Sequence, residues 1–144
     1  PDNPEGVDLG VFDGIRAGLT KDRLSFLAGF LNGFYNVDVL GGIRISDEAV
    51  RASWQVGAGA SPQGMYELVA AWGTDFRADL QKLARAALIV HGDSDRIVPL
   101  AVSGQRTHAL IQGSQLVVIE GGPHGLNWTH AEEVNRALLE FLAR

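Results

Sequence analysis

The sequence predicts part of an α/β fold, in which a helical segment at residues 1–84 precedes two parallel strands that alternate with helices at residues 85–144. First, apolar residues recur at helical spacing through the early part of the chain. Second, two short uninterrupted apolar runs, at residues 87–90 and 116–119, are typical of strands buried on both faces of a parallel sheet. Third, the stretch between those runs is long enough for the helix that connects parallel strands. We call residues 1–84 the helical segment and residues 85–144 the core segment.

Composition and charge limit the class of protein. The chain has 144 residues, of which 46% are hydrophobic and 20% are charged, close to ordinary soluble usage. Its 12 basic residues are scattered among 17 acidic ones, so we expect no binding to nucleic acid or to an anionic membrane surface, since both require clustered Lys and Arg. No apolar run approaches the ~20 residues that span a bilayer. The absence of cysteine excludes disulfides and cysteine-ligated zinc, and it favours a cytoplasmic location.

Capping residues and apolar spacing predict four helices in the helical segment. Thr20 is the predicted N-cap of the second helix, and the glycine pair at 41–42 breaks the chain after it. Ser46 is predicted to cap the third helix, and Ser61 with Pro62 to begin the fourth. The predicted apolar faces of the first, second and fourth helices are Val11, Phe12, Ile15 and Leu19; Leu24, Leu27, Phe30, Leu31 and Phe34; and Met65, Leu68, Val69 and Trp72.

The core segment is predicted as strand, helix, strand, helix. The first strand ends at His91, residues 100–111 form the crossover helix, and the second strand ends at Glu120. Thr129 is predicted to cap a final helix whose apolar side is Val134, Leu138, Phe141 and Leu142. Two buried parallel strands do not make a stable sheet alone, because each leaves an edge unpaired. We therefore expect this chain, which begins with Pro, to be a piece whose missing strands come from another polypeptide or from further copies.

Polar loops follow both predicted strands, where functional groups of parallel sheets gather. The first loop reads His-Gly-Asp-Ser-Asp-Arg-Ile-Val-Pro from His91, and the second reads Glu-Gly-Gly-Pro-His-Gly from Glu120. Because adjacent strands lie ~4.8 Å apart, a carboxylate of one loop can reach the imidazole of the other. Such a pair is typical of an Asp that orients a His general base. Alternative interpretations are a turn role for Asp93, a surface histidine at the second loop, or a metal site, for which no third ligand is convincingly spaced.

The other histidines have simpler interpretations. We expect His91 to shape the end of the first strand. His108 and His130 are predicted to lie on helix surfaces.

The combination of His-Gly-Asp-x-Asp-x-x-Val-Pro with Glu-Gly-x-Pro-His-Gly-Leu resembles the α/β-hydrolase fold. More narrowly, the sequence is similar to the cofactor-free non-haem chloroperoxidases, also called perhydrolases or aryl esterases. The resemblance extends over essentially the whole chain, including Ala-Ala-Trp at 70–72 and Thr-Asp-Phe-Arg at 74–77. It implies that residues 1–84 form a helical lid and that residues 85–144 form the C-terminal βαβα part of the hydrolase core.

The resemblance also implies roles for single residues. Asp95 matches the catalytic acid and His124 the general base, while Ile97 and Leu126 are similar to residues that line the acyl pocket. Phe34 and Trp54 are candidates to roof that pocket, with simple packing of the helices as the alternative. No metal, haem or other cofactor is implied. The substrate expected for the parent protein is a small ester or carboxylic acid, with hydrogen peroxide as a possible second substrate.

The serine nucleophile of this family is not recognisable in the chain. Its elbow, Gly-x-Ser-x-Gly, has no match, and the nearest approach, around Ser61, is followed by Pro62, which has no N–H for an oxyanion hole. We expect Ser61 to be a helix cap. The predicted function is therefore the acid-and-base half of a serine hydrolase whose N-terminal half is a partner. The alternatives are a non-catalytic module that self-associates into a homo-oligomer, and an isolated hydrolase that works without serine.

Overall fold

The computed structural model describes residues 3–143. The helical segment contains α1 (Leu9–Phe34), α2 (Val37–Leu40), α3 (Asp47–Gly59), α4 (Pro62–Ala71) and α5 (Arg77–Leu80). The core segment contains β1 (Leu88–Gly92), a 3-10 turn (Leu100–Val102), α6 (Gly104–Leu110), β2 (Gln115–Ile119), α7 (Leu126–Thr129) and α8 (Ala131–Leu142). The predicted fold class is thus confirmed, with helices first and two parallel strands alternating with helices afterwards.

Helix α1 is broken at Asp22, so that it replaces the first two predicted helices. Asp22 has extended backbone angles (φ −158°, ψ 91°), and its carboxylate accepts a hydrogen bond from the Ser25 N–H at 3.1 Å. This is the geometry of an N-cap. The prediction of Thr20 as the cap is wrong: its hydroxyl donates to the Arg16 carbonyl within the preceding helix.

The caps of the next two long helices are confirmed. The Ser46 hydroxyl accepts from the Ala49 N–H, and the Ser61 hydroxyl accepts from the Gly64 N–H, as expected of N-caps. The apolar face predicted for α4 is only partly buried. Val69 is buried, whereas Leu68 and Trp72 are exposed, because only α1 packs closely on that helix.

The two strands form a parallel sheet whose partners run from Leu88 opposite Gln115 to Gly92 opposite Ile119. The predicted crossover helix is divided by Ser103, whose backbone angles (φ −132°, ψ −88°) are not helical. Within residues 3–143 the sheet has no third strand, so both outer edges lack a strand partner. Accordingly, most strand residues are half-buried, and Val118 is 47% exposed.

The last helix begins one residue later than a Thr129 cap implies, at Ala131. Thr129 ends α7, and its hydroxyl contacts the Gly125 carbonyl and His130 Nδ1, so the predicted cap is wrong. His130 is buried at the α7–α8 junction, which also overturns its prediction as a surface residue. On α8, Val134 is buried as predicted, whereas Leu138 and Leu142 are exposed.

Two apolar clusters support the site described below. One joins Leu31, Tyr35 and Ile45 in the helical segment, and the other joins Ile119, Leu126 and Val134 under the sheet. None of the helices in the described part of the chain is long and apolar enough to cross a membrane.

Candidate active site

Asp95 lies in the loop that follows β1, here called the Asp95 loop (residues 93–99). Its side chain is fixed by the backbone directly after it, because Oδ1 accepts hydrogen bonds from the N–H groups of Ile97 (2.9 Å) and Val98 (2.8 Å). Asp95 is 7% exposed, so this carboxylate is largely withdrawn from water. The second oxygen, Oδ2, faces the neighbouring loop.

His124 lies in the loop that follows β2, the His124 loop (residues 120–125). Its Nδ1 is 2.7 Å from Oδ2 of Asp95. Because a carboxylate oxygen only accepts, Nδ1 carries the proton and Nε2 keeps a free lone pair. The structure shows no hydrogen-bond partner for Nε2 among residues 3–143, and the side chain is 34% exposed. Nε2 is thus free to take a proton from an incoming group.

Backbone contacts hold the two loops together. The Gly121 N–H donates to Asp93 Oδ1 at 2.8 Å, and the Ser94 N–H donates to the Gly122 carbonyl at 3.1 Å. Asp93 therefore ties one loop to the other, in keeping with its interpretation as a turn residue. Glycine is needed at Gly92 because a Cβ there would overlap the Gly122 carbonyl.

The C-terminal end of α1 contacts the His124 loop. The Phe34 ring meets the His124 ring edge to face, with 4.8 Å between centroids and 72° between planes. The Phe34 carbonyl also accepts a hydrogen bond from the Gly125 N–H at 2.9 Å. An aromatic ring from the helical segment therefore packs against the imidazole.

Asn36 connects the helical segment to the Asp95 loop, and the sequence analysis missed it. Its amide Nδ2 donates to the Ser94 carbonyl at 2.9 Å, across 58 residues of sequence. Asn36 is 3% exposed, and among the described residues it is the only non-glycine residue with positive φ (49°). Asn tolerates this left-handed conformation better than most residues, but no local sequence pattern indicates that it is needed here.

His91 is the second residue whose place in the site was missed. It is the penultimate residue of β1, close to the predicted strand end, and its Nε2 lies 2.9 Å from the Val98 carbonyl and 3.3 Å from Asp95 Oδ2. A histidine four residues before the acidic residue was the only available signal.

The four predicted pocket residues lie in different surroundings. Phe34 contacts His124, and half-buried Ile97 lies beside Gly33 of α1. Leu126 belongs to the buried cluster under the sheet. Trp54 packs on the cluster of the helical segment, and its indole N–H donates to the Leu24 carbonyl at 3.0 Å. Phe34 thus contacts the His124 ring, and Ile97 contacts Asp95 through its backbone N–H.

Two open grooves are present on the described surface, and neither is lined by Asp95 or His124. One, of about 380 Å³, runs between β2 and α8. The other, of about 490 Å³, lies along α1 beside Tyr66.

Serine hydroxyls of the described residues do not bond to His124. Ser61 caps α4, and the Ser94 hydroxyl donates to Asp93. The geometry thus provides an oriented imidazole base with its acidic partner, but no attached nucleophile.

Comparison with known proteins gives a consistent set of relatives. The chain is 53% identical over 141 residues to a putative non-heme chloroperoxidase of Synechocystis, covering 98% of this chain and 51% of the relative. It is 33% identical over 145 residues to a bifunctional esterase/perhydrolase of Acinetobacter calcoaceticus, covering 97% of this chain and 51% of the relative. No protein-family model matches.

Solved structures show the same relationship. The chain superposes on a bromoperoxidase from Bacillus anthracis with a TM-score of 0.94 and 43% identity, covering 100% of this chain and 52% of that one. An esterase from Exiguobacterium antarcticum gives a TM-score of 0.84 at 24% identity, which supports the fold alone, with 94% and 48% covered. The chain spans about half the length of the relatives it matches.

Proposed function

Because this chain is a half-length homologue of the non-heme haloperoxidases and esterases of the α/β-hydrolase fold, we propose that it supplies the acid and base of a serine carboxylic-ester hydrolase. Asp95 is the acid and His124 is the base. The observation that supports this proposal most directly is the 2.7 Å hydrogen bond from His124 Nδ1 to Asp95 Oδ2. The serine and the oxyanion hole come from a part of the enzyme outside this chain.

The proposed chemistry has two steps. In the first, His124 Nε2 takes the proton of the serine hydroxyl as its oxygen attacks the ester carbonyl, and the imidazolium then protonates the departing alcohol. In the second, His124 deprotonates water, which attacks the acyl-serine and releases a carboxylic acid and the serine. Hydrogen peroxide in place of water gives a peracid by the same proton transfers. The ionised Asp95 stabilises the imidazolium in both steps.

The surroundings of the pair suggest the substrate class. The Phe34 ring beside His124 and the nearby Ile97 side chain are apolar. An apolar wall favours an uncharged acyl group. We therefore propose small esters of carboxylic acids as substrates, with these two side chains on the acyl side.

A chimaera tests the proposal. This chain would replace the matching half of the Synechocystis chloroperoxidase relative, with which it is 53% identical, and p-nitrophenyl acetate hydrolysis would be measured. We expect turnover in the chimaera and its loss in a His124→Gln variant of equal stability. An active His124→Gln variant, or a folded chimaera without activity, would contradict the proposal.

A non-catalytic module that self-associates is the second candidate. It is favoured by the two open sheet edges and by the exposure of Val118 on β2. Sedimentation equilibrium of the chain alone distinguishes the candidates. A discrete oligomer, with no gain of esterase activity in the chimaera, would favour the module.

A further inference from the structure

We infer that His91 is a positioning residue for Asp95: its Nε2–H bonds to the Val98 carbonyl and so holds the loop that carries the carboxylate, while the ring lies against that carboxylate. This inference rests on the proposed function for its catalytic consequence. The hydrogen bonds on which it depends belong to the fold itself and can be tested without any activity.

The protonation of His91 follows from its partners. Nε2 lies 2.9 Å from the Val98 carbonyl oxygen, which has no hydrogen to donate. The contact is a hydrogen bond only if Nε2 carries the proton. The same nitrogen lies 3.3 Å from Asp95 Oδ2, a polar contact beside the hydrogen bond to the carbonyl. No further charged group has to be invoked to place the proton on Nε2.

The carboxylate of Asp95 has contacts at both oxygens. The N–H groups of Ile97 and Val98 fix Oδ1, but a carboxylate held at one oxygen can still turn about it. Oδ2 receives His124 from one loop and His91 from the end of β1. Because β1 is part of the sheet, His91 supplies the only one of these four contacts that comes from a strand. Its contact with Oδ2, together with its hydrogen bond to Val98, links the carboxylate to the sheet.

Gly104, at the start of α6, leaves the space that the His91 ring occupies. A Cβ at Gly104 would lie 2.6 Å from His91 Nδ1 and 3.0 Å from its Cγ. Gly104 is buried, and its φ is not positive, so an alanine there would suit the helix but would displace the imidazole. Gly104→Ala therefore moves the ring without removing its N–H.

The alternative is a purely structural role, in which His91 only fills space at the end of β1. His91→Phe keeps the ring and its volume but removes the N–H. His91→Gln removes the ring but keeps an N–H group, that of the amide, at a similar distance from the backbone. A space-filling role predicts that Phe is the milder change, whereas a positioning role predicts that Gln is.

The experiment uses the chimaera described above, with its unfolding midpoint recorded for every variant. For a positioning role we expect kcat to fall by about 10-fold to 100-fold in His91→Phe, with KM nearly unchanged, and to be largely retained in His91→Gln. Gly104→Ala is expected to lower kcat similarly. This variant keeps the inference testable if His91→Phe does not fold. Wild-type kcat in either His91→Phe or Gly104→Ala would overturn the inference.

Nuclear magnetic resonance of 15N-histidine-labelled protein separates the two proposals. The His124 Nδ1–H signal, assigned by its loss in His124→Gln, should persist in His91→Gln and exchange away faster in His91→Phe. This result in a protein without esterase activity would support the role of His91 and reject the proposed function. Unchanged exchange in His91→Phe, or no Nδ1–H signal in the unmodified protein, would reject the role of His91.

Discussion

Asp95 Oδ2 and His124 Nδ1 lie 2.7 Å apart although 29 residues separate them in sequence. The parallel pairing of β1 and β2 produces this contact, because it brings the ends of both strands to the same edge of the sheet. Each residue then needs only a short loop to reach the other. The relationship leads directly to the first prediction.

Asp95→Asn should lower ester hydrolysis in the chimaera by about four orders of magnitude. The backbone N–H groups of Ile97 and Val98 will keep the amide oxygen in the place of Oδ1, so that the NH2 group faces His124. His124 Nδ1 must then accept, and Nε2 carries the proton and cannot act as a base. Steady-state kinetics measure the loss. Asp38→Asn, at an exposed ion pair with Arg96, is the control and should change kcat less than about twofold.

Gly92→Ala should destabilise the protein, because the new Cβ would overlap the Gly122 carbonyl and separate the two loops. We expect a cost of about 1–3 kcal/mol in the free energy of unfolding, measured with urea. Gly29→Ala on α1 is the matched control. Its Cβ would meet nothing within 4 Å, so this variant should gain up to about 1 kcal/mol from helix propensity. A neutral Gly92→Ala would show that the loops approach less closely than described.

Asn36 variants should rank in a fixed order of stability, with Asn above Gly and Gly above Ala. Gly accepts the positive φ of 49° but loses the hydrogen bond to Ser94, at a cost of about 1 kcal/mol. Ala loses the same bond and adds about 1–2 kcal/mol for a left-handed backbone. Urea unfolding of the three proteins gives the order. Equal stability of Gly and Ala would mean that position 36 is not left-handed in solution.

His130 should make the protein less stable as the pH falls through about 6.5. Burial lowers the pKa of this imidazole below its ordinary value of 6.5 in the folded state. The charge of Arg44 lowers the pKa further, whereas the charges of Glu133 and Asp93 oppose the shift. The unfolded chain then binds a proton that the folded protein refuses, so stability is fully present above that value and declines below it. Urea unfolding between pH 8 and pH 5.5 measures the slope.

His130→Asn removes this titration, so its slope should be shallower than that of the unmodified protein. The contribution of Glu133 falls in another window. Its pKa is lowered by a hydrogen bond from Arg44, so this stability is lost only below about pH 4.5. Parallel slopes for both proteins between pH 8 and pH 5.5 would reject the role given to His130.

Local chemistry made part of the fold predictable. Ser46 and Ser61 are caps because a hydroxyl placed three residues before a free backbone N–H can accept from it, and the sequence shows that spacing. Thr20 and Asp22 offer the same chemistry two residues apart, and packing decides between them. His130 was mistaken for a surface residue because its burial depends on the way α7 meets α8.

The candidate site was predictable as far as strand pairing determines it. Asp95 and His124 each follow an apolar run, and parallel pairing brings such loops together. Asn36 was not predictable, because its role depends on a left-handed backbone and a partner 58 residues away. Likewise, the contact of His91 with Asp95 depends on how the intervening loop turns back on the strand. The catalytic roles themselves remain predictions.

The open edge of β1 makes the pairing of a further strand detectable by hydrogen exchange. The Gln115 N–H bonds to the Ala87 carbonyl and the Asp93 N–H to the Ile119 carbonyl, so odd-numbered amides of β1 point towards β2. Since amides alternate in direction along a strand, those of Leu88 and Val90 point the other way. Deuterium should therefore replace hydrogen rapidly at Val90 in the isolated chain. When a neighbouring strand pairs with this edge, the same amide should exchange slowly. Slow exchange at Val90 would therefore show that a strand has joined β1.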